Sequence, residues 1–122
     1  MRQDAKFWEA VRHIREADGR FGAEAYLLVM EALDHTMALL GEHRHVSAGE
    51  LLEGFCAHAK RRYGVLAFAV VQKWGIASAT DVGRIVYQLV EAGILRTQEG
   101  DRFEDFDGAC DLKEKLEDSY FD

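Results

Sequence analysis

Apolar residues recur at spacings of three and four along most of this chain, the pattern of helices that bury one face. Asp4 to Ala17 places Phe7, Ala10, Val11 and Ile14 on one side and Glu9, Arg12, Arg15 and Glu16 on the other. Asp4 is the expected N-cap, and Gly19 lies just past the end. Ala23 to Leu40 carries Tyr26, Val29, Met30, Leu33, Met37 and Leu40 as a buried stripe, broadened by Leu27, Leu28 and Ala32. A stripe this wide predicts packing on more than one neighbour. Gly41 ends it.

Ser47-Ala48-Gly49-Glu50 has the spacing of a capping box, in which serine and glutamate each satisfy the other's backbone N–H. The helix it opens turns Leu51, Leu52, Phe55, Cys56, Ala59 and Tyr63 inward, with Lys60-Arg61-Arg62 at the negative end of its dipole. Gly64 separates it from Val65 to Val71, seven apolar residues that suit a buried helix better than a strand and should form the centre of the core. Ser78 or Thr80 then caps a helix with Val82, Ile85, Val86, Leu89 and Val90 inward and Asp81, Arg84, Gln88 and Glu91 outward. Gly93 is its left-handed terminator, and Ile94 folds back as the hydrophobic contact. Ile94 to Thr97, a turn at 98–101, and Arg102 to Phe106 read as a short hairpin. Ala109 to Ser119 is a last helix anchored by Leu112 and Leu116.

A turn, a capped helix and a hairpin follow one another in the second half of a winged-helix domain. The expected fold class is therefore mainly α, five or six helices with a short β-hairpin and a winged-helix-like C-terminal half. One domain over 1–122 is expected, helical over 1–63, winged-helix-like over 64–106 and acidic over 107–122.

The net charge of −7 is unevenly spread, and the distribution changes the functional picture. Residues 94–122 hold ten acids against four bases, whereas 47–93 hold four acids and five bases. The candidate recognition helix offers Arg84 alone against Asp81 and Glu91, and the would-be wing over 96–105 has two bases against four acids. Nucleic-acid binding draws most of its affinity from phosphate contacts with a basic face, so it is disfavoured here. Lys60, Arg61 and Arg62, with Lys73 and Arg44, are the one candidate basic patch. Two cysteines, Cys56 and Cys110, are too few for a disulfide framework and read as small apolar residues. No apolar run approaches the roughly 20 residues that span a bilayer. Met1 to Glu9 lacks the apolar core of a signal peptide, so a cytoplasmic location and no membrane partner are expected.

Candidate chemistry is sparse. Zinc needs four ligands, commonly as two close pairs on turns. His43 and His45 flank Arg44 without a second pair, and Cys56 and His58 sit two apart on a helix, pointing in different directions. Glu9/His13 and Glu31/His35 have the spacing of ordinary local ion pairs. Nucleophile elbows and phosphate-binding glycine loops do not occur. Gly83, within a helix where glycine costs about 1 kcal/mol relative to alanine, predicts close approach of another helix or of a bound partner. No catalytic residue, metal or cofactor is expected.

An aromatic near the start and the residues Tyr26, Ala32-Leu33, Thr36, His45-Val46, Glu50-Leu51-Leu52, Ala59, Tyr63-Gly64, Trp74-Gly75-Ile76, Asp81, Gly83, Ile85-Val86-Tyr87 and Asp105-Phe106 form a pattern over nearly the whole chain. In it the chain resembles a bacterial family of short conserved proteins of unknown function. The resemblance implies no activity, cofactor or partner. Ala79 departs from it where a more polar cap is expected. The expected function is a non-enzymatic protein–protein interaction module whose partner is an unidentified protein or a second copy in a homodimer. Its candidate contacts are Arg84, Tyr87, Gln88, Lys60, Arg61 and Arg62, and its candidate aromatic anchors Tyr87, Trp8 and Tyr120. The alternatives are a winged-helix DNA-associated regulator and a small metal-dependent protein using His43, His45 or His58.

Overall fold

The computed structural model describes residues 4–40, 46–96 and 100–117. The described residues form six α-helices: α1 (Asp4–Ala17), α2 (Ala23–Leu40), α3 (Ala48–Tyr63), α4 (Ala67–Lys73), α5 (Ala79–Glu91) and α6 (Leu112–Glu117). Two 3₁₀ turns, Gly64–Leu66 and Phe103–Phe106, complete the regular structure, and no strand occurs among these residues. α2 and α3 are the central pair. α1 and α5 pack against α2, while α4 and α6 pack against α3.

Small residues let the central pair approach closely. A Cβ built at Gly54 of α3 would overlap the Thr36 hydroxyl of α2. Thr36 is itself buried, and its hydroxyl donates to the Ala32 carbonyl at 2.7 Å, so no polar atom is stranded there. α3 begins as its spacing predicts. The Glu50 N–H donates to Ser47 Oγ at 3.1 Å, and the Ser47 N–H donates to Glu50 Oε1 at 3.0 Å. It ends at Gly64, whose φ of 58° and ψ of −133° belong to a region glycine alone enters readily.

That break sets the next helix at the edge of the bundle. The expectation that Val65 to Val71 is the centre of the core is only partly met. Ala67, Phe68 and Val71 are buried, but Val65 and Leu66 are 52% and 62% exposed. A continuous apolar run wound into a helix points in every direction, and α4 is covered by α3 and α6 on one side only.

The Trp74-Gly75-Ile76 turn is a junction. Gly75 takes φ +102°, and a Cβ there would lie 2.5 Å from the Arg20 carbonyl oxygen. The Gly22 N–H donates to the Trp74 carbonyl at 2.9 Å, tying this turn to the loop between α1 and α2. Ile76 is fully buried. α5 starts from Ser78, whose hydroxyl accepts from the Asp81 N–H. It ends in a Schellman arrangement: Ile94 N–H donates to Leu89 and Gly93 N–H to Val90, with φ +81° at Gly93.

The expected hairpin, and with it the winged-helix-like half, is overturned. Residues 94–96 form no strand, and Phe103–Phe106 coil into a 3₁₀ turn. The spacing of the two aromatics explains this. Side chains at i and i+3 share one side of a 3₁₀ turn but fall on opposite faces of a strand. Both are needed on one side: Phe103 stands edge-on to Tyr87 at 5.9 Å, and Phe106 is buried against Gly83. The final helix starts at Leu112 rather than Ala109, its expected end at Ser119 lies outside the described residues, and Leu112 and Leu116 bury as its anchors.

A Cβ at position 83 would lie 2.6 Å from Phe106 Cγ and 2.8 Å from its Cβ, atoms too near the backbone to swing aside. Gly83→Ala is therefore expected to lower unfolding free energy by about 1–3 kcal/mol in urea titration, despite alanine's better helix propensity. Gly49→Ala, where nothing lies within 4 Å, is expected to raise it by up to about 1 kcal/mol.

Candidate functional site

The residues singled out on α5 are drawn into the fold more than the pattern of faces implies. Tyr26 on α2 donates from its hydroxyl to Gln88 Oε1 at 2.7 Å, a bond linking two helices. Tyr87 is half-buried against Phe103. Burial first, then the carboxylates of Asp101, Asp105 and Glu104, push its hydroxyl pKa up. Arg84 donates from Nη1 to Asp81 Oδ1 at 2.7 Å.

Asp81 corrects the expectation that it faces outward. It is only 8% exposed. One oxygen holds Arg84 and the other accepts the Ala77 N–H at 2.9 Å, so the carboxylate closes the first turn of α5. An acid at the third helical position suits both the exposed N–H groups and the dipole. Thr80 adds a bond to Asp107 at 2.8 Å, fastening the segment after Phe106 to the same helix start. The face of α5 is thus capped by an acidic segment.

Lys60, Arg61 and Arg62 lie in the last turn of α3. Arg62 Nη1 donates to Glu31 Oε1 of α2 at 2.7 Å, and its guanidinium sits 5.3 Å above the Tyr63 ring. Arg61 Nη2 reaches His58 Nδ1 at 3.2 Å, and His58 Nε2 reaches Glu31 Oε1 at 3.0 Å. Arginine can only donate, so His58 Nδ1 accepts and its Nε2–H donates to the glutamate. Glu31 therefore bonds across the helix pair rather than to His35 one turn away. Likewise His13 faces Glu16, at 3.9 Å, rather than Glu9.

No cluster of three or more metal-ligating side chains occurs among the described residues. His43 and His45, with Arg44, lie outside them, as does Tyr120. Cys56 is buried, and Cys110 packs partly against the core. Burial, with the neighbouring Cys110 second, pushes the Cys56 thiol pKa up to about 12, far from the depressed values of reactive thiols. No described helix is long and apolar enough to cross a membrane.

Among the described residues, two places besides the lone Leu39 side chain offer exposed apolar surface. Along α1 an open groove of about 350 Å³ is lined by Trp8, Val11, Arg12, Arg15, Glu16 and Ala23. Its charges are mixed. The second is the turn carrying Val65 and Leu66, with exposed Ala69 on the next turn. Residues 54 to 80 contain no acid and four bases, Lys60, Arg61, Arg62 and Lys73. In a chain of net charge −7 this adjacent aliphatic pair lies in a stretch of sequence that carries bases and no acids, while α6, which packs against the same turn, brings Lys113, Glu114, Lys115 and Glu117. Leu66, Ala69 and Lys73 recur at helical spacing, which places them on one face. The run of residues without acids was readable from the chain, but the exposure of its two large aliphatics was not.

No protein-family model, no curated protein and no solved structure matches the chain. Its site therefore rests on its own geometry.

Asp81→Asn would place a donor against the N–H of Ala77 or the guanidinium of Arg84 and should cost about 1–3 kcal/mol in denaturant titration. Arg84→Ala should cost less than about 1 kcal/mol, because that ion pair is 42% exposed on the arginine side. A second test is alkaline. Burial chiefly raises the Tyr26 hydroxyl pKa from 10.0 to about 12. The folded state thus holds this proton more tightly, and the stability linked to it is complete below pH 10 and lost as pH rises toward 12. Tyr26→Phe should abolish that portion of the loss, at a cost near neutral pH of about 1 kcal/mol for the bond to Gln88.

Proposed function

We propose that this protein is a non-enzymatic helical interaction module that docks another protein through the surface around Val65 and Leu66. The observation that carries this reading is the exposure of two adjacent large aliphatic side chains, 52% and 62%, within a stretch free of acids. Isolated exposed apolar residues are ordinary, and Leu39 at 71% is one. A contiguous apolar pair in a stretch of sequence that carries Arg61, Arg62 and Lys73 and no acid has the composition of an interface, an apolar centre with charged residues nearby in the chain.

Two further features support the choice of this surface over α5. On α5 the side chains are engaged within the fold: Gln88 with Tyr26 of α2, Arg84 with Asp81, and Tyr87 with Phe103 of the 3₁₀ turn. The stretch of sequence around the turn carries bases and no acids, which disfavours two copies meeting there face to face. An acidic partner is favoured over a symmetric pair of this chain. A nucleic-acid reading gains nothing from the acidic segment over α5.

The test is a photo-crosslinking amino acid placed at Leu66 in cells, with the same residue at exposed Glu9 as control. A discrete adduct larger than the chain is expected from Leu66 and not from Glu9. Arg61→Glu with Lys73→Glu should reduce it roughly tenfold, the equivalent of about 1.4 kcal/mol. Equal yields from both positions, or indifference to charge reversal, would contradict the reading.

A further inference from the structure

His58 sits in the seam between α2 and α3, one turn along α3 from the point where Gly54 lets Thr36 approach. Its ring is largely buried and has a partner at each nitrogen. Nε2 lies 3.0 Å from Glu31 Oε1 of α2, and Nδ1 lies 3.2 Å from Arg61 Nη2 on its own helix. The two partners make opposite demands. A guanidinium only donates, so it requires a bare lone pair on Nδ1; an ionised carboxylate only accepts, so it keeps a proton on Nε2. One species meets both, the neutral imidazole protonated at Nε2.

Histidine ordinarily changes charge between about pH 5 and about pH 8. With Nε2 already carrying a hydrogen, the incoming proton goes to Nδ1. There it removes the acceptor that holds Arg61 and sets two cationic N–H groups against each other. At Nε2 the same proton turns the bond to Glu31 into a contact between full opposite charges, the stronger kind. The other charged and titratable groups at this place are Arg62 and His35. Arg62 donates to the same Glu31 oxygen at 2.7 Å and so opposes a second cation there. His35 of α2 lies 6.0 Å away, ring centre to ring centre, so a proton on either imidazole disfavours one on the other.

We propose that His58 is a proton-operated switch in the α2–α3 seam: neutral, it latches Arg61 along α3; protonated, it releases Arg61 and tightens on Glu31 of α2. Neither helix has to move, because both partners already stand within bonding distance. The output is one exposed arginine, tied when the ring is neutral and free when it is charged. The switch belongs to the seam and stands whether or not Val65 and Leu66 dock a partner.

The test is the imidazole nitrogen NMR spectrum of the full chain, followed from about pH 8 down to about pH 5. Before it titrates, His58 is expected as the tautomer protonated at Nε2. On acidification Nδ1 should gain its proton, and the Arg61 guanidinium resonances should move with the same midpoint. Arg61→Ala should shift that midpoint up, because the neutral ring loses a donor and the charged ring loses a neighbouring cation. Glu31→Gln should shift it down, because the charged ring loses its counter-ion. Arg61 is exposed, so its variant keeps the packing of α2 on α3 and stays readable even where Glu31→Gln unfolds the chain. A ring protonated at Nδ1 before titration, Arg61 resonances indifferent to the titration, or a midpoint that Arg61→Ala leaves unmoved or lowers would overturn the proposal.

Discussion

The ring of Phe106 lies where the side chain of residue 83 would otherwise be, and much of the C-terminal half follows from that contact. Because Gly83 has no Cβ, the turn over 103–106 can press onto α5. Phe103 then meets Tyr87, and Asp107 reaches Thr80. A helix that looks from its pattern like a presented surface is instead a sealed one. The glycine gives up roughly 1 kcal/mol of helix propensity for this, which burial of an aromatic ring offsets several-fold.

Sealing α5 moves the open chemistry elsewhere. The acidic segment that covers it places Asp101, Glu104 and Asp105 around Tyr87, a surface that repels polyanions. The stretch between Gly54 and Thr80, which has bases and no acids, holds the exposed aliphatic pair, and α6, which follows both regions in sequence, packs beside the turn that carries that pair. Charge is therefore segregated along the sequence, bases without acids over 54–80 and five acids against one base over 99–107.

Local signals in the sequence were legible because their geometry is local. The capping box at Ser47 and Glu50 and the terminator at Gly93 depend on residues within a turn of each other, and both form as the spacing requires. What a helix face meets is not local. Glu31 sits one turn from His35, yet it bonds His58 and Arg62 on the neighbouring helix, a choice that only the α2–α3 packing makes. Asp81 reads as a solvated charge from its position on the wheel, but its place at the third helical position turns it back onto the Ala77 N–H. The weak alternation over Ile94 to Thr97 suggests a ribbon, but Phe103 and Phe106 lie three apart, and that odd spacing excludes it once both must face α5. The Val65 to Val71 run gives no periodicity from which exposure could be read, so the candidate surface stayed hidden until the packing of α4 was known.

The contact between Phe106 and Gly83 can be observed directly in solution. Cross-peaks between the Phe106 ring protons and the Gly83 α-protons are the result this structure requires, accompanied by helical-type carbon shifts over 103–106. Strong α-proton to α-proton cross-peaks between residues 94–96 and 102–106, with none from Phe106 to Gly83, would restore a β-ribbon, free the face of α5, and contradict the account at its root.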